Sequence, residues 1–107
     1  MLVLYPDSNL KTAKRRPALV VQADLLHTGL PQTIVAMVSS NMARAGHPSR
    51  VTVLQASMEG RHMGLHTDSV IMTDNLATVL ETEIDRTIGK CANMQAVGQA
   101  LRHTLGL

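Results

Sequence analysis

Two adjacent arginines, Arg15 and Arg16, stand directly before Pro17 and an apolar run. Proline fixes its own φ angle and biases the preceding residue toward extended geometry, so we expect Arg16 at the rim of a sheet. A guanidinium group presents planar donors that match a phosphate bidentately. Together with Lys14, these residues form a candidate phosphate-binding segment, although the same basic run is equally compatible with a solubilising surface loop.

Small polar residues follow two of the apolar runs. Ser39, Ser40 and Asn41 close the run at residues 33–39, and Asp74 with Asn75 follows a second run. Such groups at strand ends can present hydroxyl, carboxylate and amide atoms to a bound ligand. They are also common as plain turn residues, and the residues alone leave both interpretations open.

The sequence offers little support for metal or nucleotide chemistry. His62 and His66 are four residues apart, which on a helix would put two ligands on one face. Gly60 and Gly64 interrupt that segment, so we expect no helix there and interpret both histidines as exposed loop residues. Phosphate-cradling glycine motifs and a nucleophile elbow are absent from the sequence. We therefore predict that no metal and no cofactor is needed.

Composition indicates one globular domain, residues 1–107, with an aliphatic core. The 107 residues are 45% hydrophobic, with seven methionines, one tyrosine and neither Trp nor Phe. Cys91 is the single cysteine, which rules out an internal disulfide and favours a reducing cytoplasm. The sequence contains neither an apolar run long enough to span a membrane nor a recognisable secretory signal.

Charge is distributed unevenly along the chain. Residues 1–66 carry seven basic and three acidic residues, a net +4, and residues 67–107 carry three basic and five acidic residues, a net −2. A basic half can face a polyanion or an acidic partner segment, or it can be a solvated surface.

Short β-type runs dominate the elements that must position these groups. We predict strands at residues 2–5, 18–22, 33–39, 50–55, 69–72, 76–80 and 86–89, with a bend near Asp74 and Asn75 and a helical turn at 81–85. An apolar stripe at three- and four-residue steps predicts one amphipathic helix, from an Asn93 N-cap to a Gly106 C-cap. Several short strands and one terminal helix indicate a mainly β (β+α) fold, either a compact barrel or a curled sheet.

Four stretches, taken in order, resemble the MazF/PemK-like family of type II toxins. They are residues 15–22 (RRPALVVQ), 33–40 (TIVAMVSS), 64–71 (GLHTDSVI) and 100–107 (ALRHTLGL). The resemblance implies an SH3-like small barrel with a C-terminal α-helix, a homodimer in the cytoplasm, and a cognate antitoxin protein as partner. It also implies a metal-independent endoribonuclease that cuts single-stranded RNA at short sequences. The 2′-hydroxyl would attack the adjacent phosphate and leave a 2′,3′-cyclic phosphate.

The resemblance also assigns site residues. The family's catalytic arginine and threonine match Arg16 and Ser39, and its RNA-recognising residues match Asp74 and Asn75. With the basic run and the polar strand end, the expected RNA-binding set is Lys14, Arg15, Ser40, Asn41, Asp74 and Asn75.

Three departures from the family pattern affect the expected activity. The chain begins inside the family's first strand, which predicts a truncated strand at the N-terminus, and Ala77 stands where an arginine is common. Ser39 keeps the hydroxyl of the usual threonine but loses the χ1 restraint of β-branching. The alternative function is therefore a catalytically weak or inactive barrel that binds RNA or an antitoxin.

Overall fold

The computed structural model describes residues 2–6, 15–24 and 26–107. Six strands form one antiparallel sheet in the order β4-β5-β3-β2-β1-β6. The elements are β1 (Leu2–Pro6), β2 (Arg15–Val20), β3 (Gln32–Ser39), β4 (Arg50–Val53), α1 (Met58–Met63), β5 (Ser69–Leu80), β6 (Arg86–Gly89) and α2 (Met94–Leu105). Single 3-10 turns at Met42–Arg44 and Glu81–Glu83 complete these elements.

The strand β5 is continuous where the sequence predicted two strands and a bend. Its pairing with β3 runs from Ser39↔Val70 to Met37↔Met72, and resumes at Ala36↔Leu76. Residues 73–75 therefore bulge out of the ladder between two well-paired segments. A bulge bends a strand locally without ending it, so Asp74 and Asn75 leave the regular pleat although the strand continues.

The helix α1 contradicts the prediction that no helix forms around His62. The hydroxyl of Ser57 caps it by accepting from the Gly60 N–H at 3.1 Å, and Gly64 ends it with a left-handed φ of 72°. A Cβ on Gly60 would overlap the carbonyl oxygen of Leu54, and one on Gly64 would overlap that of Ile88. Both glycines thus let a short helix pack closely against the sheet, where the sequence alone had indicated helix breaking.

Packing of α1 brings the two edges of the sheet close together. The helix follows β4 in sequence and lies against β6, where the Lys90 N–H donates to the His62 carbonyl at 2.8 Å. Within the residues described, β4 and β6 do not pair with each other. The sheet therefore curls into a barrel-like form that remains open between its edge strands, with α1 across the opening. This confirms the predicted mainly β fold with a C-terminal helix.

The core is aliphatic, in agreement with the composition. One cluster joins residues from β1 to β5 with both helices, and the second lies on the other side of the central strands. The first comprises Leu2, Leu19, Ala36, Val38, Val53, Met63, Leu65, Ile71 and Val97, and the second comprises Val3, Ala18, Val35 and Val79.

The helix α2 forms at the residues predicted. Asn93 Oδ1 accepts from the Ala96 N–H at 3.3 Å, and Gly106 ends the helix with a φ of 71°. Val97 and Ala100 are its buried residues. In the described part of the chain, no helix is long and apolar enough to cross a membrane.

Candidate active-site pocket

A pocket of about 280 Å³ opens at the ends of β2 and β3. The strands contribute Arg16, Pro17 and Val38, and Ser40 follows directly after β3. The opposite wall is the segment that follows α1, and Ile88 of β6 adds an apolar contact. The residues of that wall are Gly64, Leu65, His66, Thr67 and Ser69. Most of its polar lining groups are hydroxyls and donors, which suits an anionic ligand.

The hydrogen-bonded ladder between β2 and β3 ends at this pocket because of Pro17. The Val21 N–H donates to the Ile34 carbonyl at 3.0 Å, so alternate residues of β2 direct their N–H groups toward β3. Continuing that alternation, residue 17 would donate to Val38. Proline has no N–H, and the last paired residues are Ala18 and Met37. The pairing of β2 with β3 therefore stops beside Arg16.

Arg16 and Ser39, the predicted catalytic pair, lie near the adjoining ends of β2 and β3. The pairs Ala18↔Met37 and Val20↔Val35 fix the alignment of β2 and β3. Arg16 and Ser39 lie two residues beyond the last of these pairs, both still within their strands. Arg16 is exposed, and the Ser39 hydroxyl accepts from the Asn41 N–H at 3.1 Å.

Ser39 and Ser40 occupy different environments. Ser40 lines the pocket alongside Val38, whereas Ser39 is not among the lining residues. Successive side chains of an extended chain point to opposite faces, which accounts for the difference. Asn41 is exposed, and its amide oxygen accepts from the Ala43 N–H at 3.1 Å to cap the 3-10 turn.

Asp74 and Asn75 lie in the bulge of β5 and do not line the pocket. The Asp74 carboxylate pairs with Arg50 of β4, with 2.8 Å between Nη2 and Oδ2. The Arg50 side-chain hydrogen bond holds the pKa of Asp74 below its ordinary value, against a smaller opposing effect of desolvation. Arg50 also donates to the Arg44 carbonyl at 3.0 Å. Sequence reasoning gave no indication of this ion pair, because its partners are 24 residues apart.

The bulge is also held on its buried side by a network of hydroxyl groups. Thr73 is fully buried, and its hydroxyl and N–H both donate to the Ser49 carbonyl. Its Oγ1 lies 2.8 Å from Oγ1 of Thr104 on α2. A hydroxyl has one hydrogen to give, and Thr73 gives it to Ser49, so Thr104 is the donor in this second bond. The C-terminal helix is thereby tied to the bulge that carries Asp74.

The remaining basic residues of the prediction are placed only in part. Arg15 begins β2, where its backbone pairs with Pro6. Lys14 lies outside the described residues. No group of three or more potential metal ligands occurs in the part of the chain that the structure describes.

His66 and Thr67 belong to the pocket, although sequence reasoning does not assign them to the site. The sequence singles out His66 only as half of a possible metal-binding pair, and both residues lie inside the matched stretch 64–71. Their place two and three residues after Gly64, inside that stretch, is the signal that could have found them.

Comparisons with known proteins agree with this architecture. The family described as PemK-like, MazF-like toxin of type II toxin-antitoxin system matches residues 1–105. The chain is 32% identical over 107 residues to Endoribonuclease MazF6 of Mycobacterium tuberculosis, an alignment that covers 97% of this chain and 90% of that protein. The same values hold for Endoribonuclease MazF2 of Mycobacterium bovis.

Solved structures show the same fold. The Mycobacterium tuberculosis toxin MazF-mt6 superposes with a TM-score of 0.76 at 22% identity, covering 99% of this chain and 96% of that one. An endoribonuclease in complex with its cognate antitoxin, from a mycobacterial species, gives a TM-score of 0.75 at 20% identity, covering 99% and 92%. A MazE-MazF structure from Deinococcus radiodurans gives 0.70 at 23%, covering 99% and 91%.

Proposed function

The chain belongs to the PemK-like, MazF-like toxin family of type II toxin-antitoxin systems, and on that premise we propose that it is a toxin endoribonuclease that cuts single-stranded RNA. The observation that carries the proposal is the pocket at the end of β2, where an exposed arginine meets several hydroxyl groups. Relatives 32% identical over nearly the whole chain are named endoribonucleases, which supports the same activity here.

Arg16 and Ser39 are the proposed catalytic residues. Attack of the ribose 2′-hydroxyl on the adjacent phosphate forms a 2′,3′-cyclic phosphate and releases a 5′-hydroxyl end. Negative charge grows on the non-bridging phosphate oxygens during this step, and preorganised donors stabilise such charge strongly. The guanidinium of Arg16 supplies two parallel donors and the Ser39 hydroxyl a third. Their positions near the adjoining ends of β2 and β3 support this assignment.

The proposed RNA-binding residues differ in how strongly their positions support them. Ser40 is supported by its place in the pocket wall, and Arg15 and Lys14 by their charge beside Arg16. Asp74 and Asn75 lie in the bulge of β5, where the Asp74 carboxylate is engaged by Arg50. They would therefore contact nucleotides beyond those held in the pocket.

The proposed partners follow from the family. A cognate antitoxin with an acidic segment would cover the basic residues near Arg16, and one solved structure of the same fold is described as an endoribonuclease in complex with its cognate antitoxin. A second copy of the chain would complete a homodimer. A toxin that acts on RNA and carries one unpaired cysteine would work in the cytoplasm.

The decisive experiment is incubation of the purified protein with a long single-stranded RNA in EDTA, followed by mapping of the cut ends. Discrete cuts with cyclic-phosphate ends are expected. Arg16→Ala should lower the cleavage rate about 10²–10³-fold, whereas Arg102→Ala, which removes an exposed arginine of α2, should leave it unchanged. Intact RNA after incubation with folded wild-type protein would instead favour the inactive RNA- or antitoxin-binding barrel.

A further inference from the structure

The proposed reaction requires a group that accepts the proton of the attacking 2′-hydroxyl. Arginine cannot accept a proton because its guanidinium is always charged in proteins. A serine hydroxyl is too weak a base to do so unaided. Arg16 and Ser39 can therefore stabilise the transition state, but neither can serve as the general base.

His66 is the one side chain of the described pocket wall that can accept a proton near neutral pH. It lies in the loop between α1 and β5, facing the same cavity as Arg16 and Ser40. Both residues border the same cavity of about 280 Å³, so a phosphodiester bound in it would have Arg16 and His66 in its surroundings.

The loop that carries His66 is held in place on both sides. The Leu65 side chain is buried, and its N–H donates to the Gly60 carbonyl at 3.2 Å. Asp68 Oδ1 accepts from the Gln55 N–H at 2.9 Å. The buried Ser69 hydroxyl donates to the Thr67 carbonyl at 3.0 Å. Because these contacts fix the backbone of the loop, the Cα of His66 has a defined position, and a catalytic side chain needs such positioning.

The His66 ring is available to a ligand. It makes no hydrogen bond or ion pair with any residue that the structure describes. His47 is different, because its Nδ1 accepts from the Ser49 N–H at 3.1 Å. Among the described residues lining the pocket, Arg16 is the only arginine, and the lining contains no lysine, aspartate or glutamate. The carboxylate of Asp68, two residues along the chain, accepts from the Gln55 N–H.

From the shared cavity, the anchored loop and the unbonded ring, we propose that His66 is the general base of RNA cleavage by this protein. A ring nitrogen takes the 2′-hydroxyl proton as the 2′-oxygen forms its bond to phosphorus. The bond from phosphorus to the 5′-oxygen breaks, and that oxygen takes a proton from solvent water. The imidazolium then returns its proton to solvent, which restores the starting state without net change. This inference rests on the proposed nuclease function.

The test compares the wild type with His66→Gln and with the matched control His62→Gln, an exposed histidine of α1 outside the pocket wall. Single-turnover cleavage of one short RNA is measured in EDTA from acidic to alkaline pH. Binding is measured separately with the same RNA carrying a 2′-deoxy substitution at the cut site. A thermal melt of each variant checks folding.

We expect His66→Gln to cut about 10²–10⁴-fold more slowly with nearly unchanged affinity. The wild-type rate should fall toward acidic pH as imidazole gains its proton, and this fall should disappear in His66→Gln. Imidazole added to His66→Gly should restore part of the rate. His62→Gln should match the wild type throughout.

Three results would overturn the proposal in distinguishable ways. If the wild type cuts RNA and His66→Gln cuts at the same rate with the same pH profile, His66 is not the general base, although the nuclease function is retained. A variant that loses affinity but keeps its rate when saturated makes His66 a binding residue instead of a base. If folded wild-type protein leaves the RNA intact, both the nuclease function and the proposed role of His66 as general base are overturned.

Discussion

The guanidinium of Arg50 on β4 holds the carboxylate of Asp74 through two contacts, 2.8 Å from Nη2 to Oδ2 and 3.4 Å from Nε to Oδ1. Asp74 lies in the bulge of β5, so this pair fixes an irregular part of the sheet to its edge strand. The bulge is consequently held from two sides, by Arg50 on the surface and by the hydroxyl network of Thr73 beneath.

This pair predicts a specific dependence of stability on pH. The pKa of Asp74 is lowered in the folded protein, so its stabilisation is present above the carboxyl group's ordinary range and is lost as pH falls through the folded-state pKa. Asp74→Asn should therefore lower the urea midpoint slightly at neutral pH and not at strongly acidic pH. One molar salt should shrink the difference, because the two side chains are partly exposed, Arg50 by 23% and Asp74 by 32%. Asp24→Asn, at an exposed carboxylate, serves as the control, and an equal effect of both changes would contradict the expectation.

Separate roles for the two neighbouring serines can be tested by single substitutions. Ser39→Ala should lower the single-turnover cleavage rate about 10²–10³-fold, because it removes a donor to the developing charge. Ser40→Ala should weaken RNA affinity only about three- to tenfold, the value of one hydrogen bond of about 0.5–1.5 kcal/mol. Ser39→Thr should keep or raise the rate, since β-branching restricts χ1. The reverse pattern, with rate lost at Ser40 only, would transfer the catalytic hydroxyl to the pocket residue.

The bond between Thr73 and Thr104 predicts a measurable coupling between α2 and the sheet. Thr73→Val should cost about 1–3 kcal/mol of unfolding free energy, because it removes a buried donor and leaves the Thr104 hydroxyl without its acceptor. Thr104→Val should cost about 0.5–1.5 kcal/mol. The two losses should be non-additive by at least about 0.5 kcal/mol in a double-mutant cycle. Thr78→Val, at an exposed position of the same strand, should change stability by less than about 0.5 kcal/mol.

Two glycines should respond in opposite ways to replacement by alanine. Gly64 has a φ of 72° and a Cβ there would overlap the Ile88 carbonyl oxygen, so Gly64→Ala should cost about 2 kcal/mol or more. Gly98 lies within α2, and a methyl group added to it would meet no atom within 4 Å, so Gly98→Ala should gain about 0.5–1 kcal/mol. Chemical denaturation of the two variants gives both values. A tolerated Gly64→Ala would mean that α1 lies farther from β6 than it does here.

The elements that the sequence predicted well are those with local signals. Asn93 and Gly106 bound α2 at the expected residues, because both caps act within a few residues of the helix end. The strands were found from apolar and β-branched runs, with boundaries shifted by a few residues. The start of β2 was predicted too late, at residue 18, because the basic residues before it are typical of a loop. Arg15 and Arg16 in fact belong to the strand.

The features that the sequence did not predict depend on tertiary contacts. Gly60 and Gly64 led to the prediction that no helix forms here. In the structure, their lack of a side chain lets the helix approach the backbone at Leu54 and Ile88 closely. His66 joins the pocket only because the curled sheet brings the segment after α1 beside the end of β2. Such juxtapositions arise from the packing of distant segments, which a pattern along one chain does not record.

At Pro17 the proposed activity and the stability of the fold make opposite demands on the chain. Proline is the only one of the twenty amino acids that lacks the N–H needed for the next hydrogen bond between β2 and β3, so the main chain itself ends the pairing beside Arg16. Replacing Pro17 by a residue with an N–H would allow the missing hydrogen bond to form. We expect such a variant to be more stable and to have a narrower pocket, the common trade-off between stability and activity. For a toxin, this gives a mutational route to attenuation that leaves both proposed catalytic side chains in place.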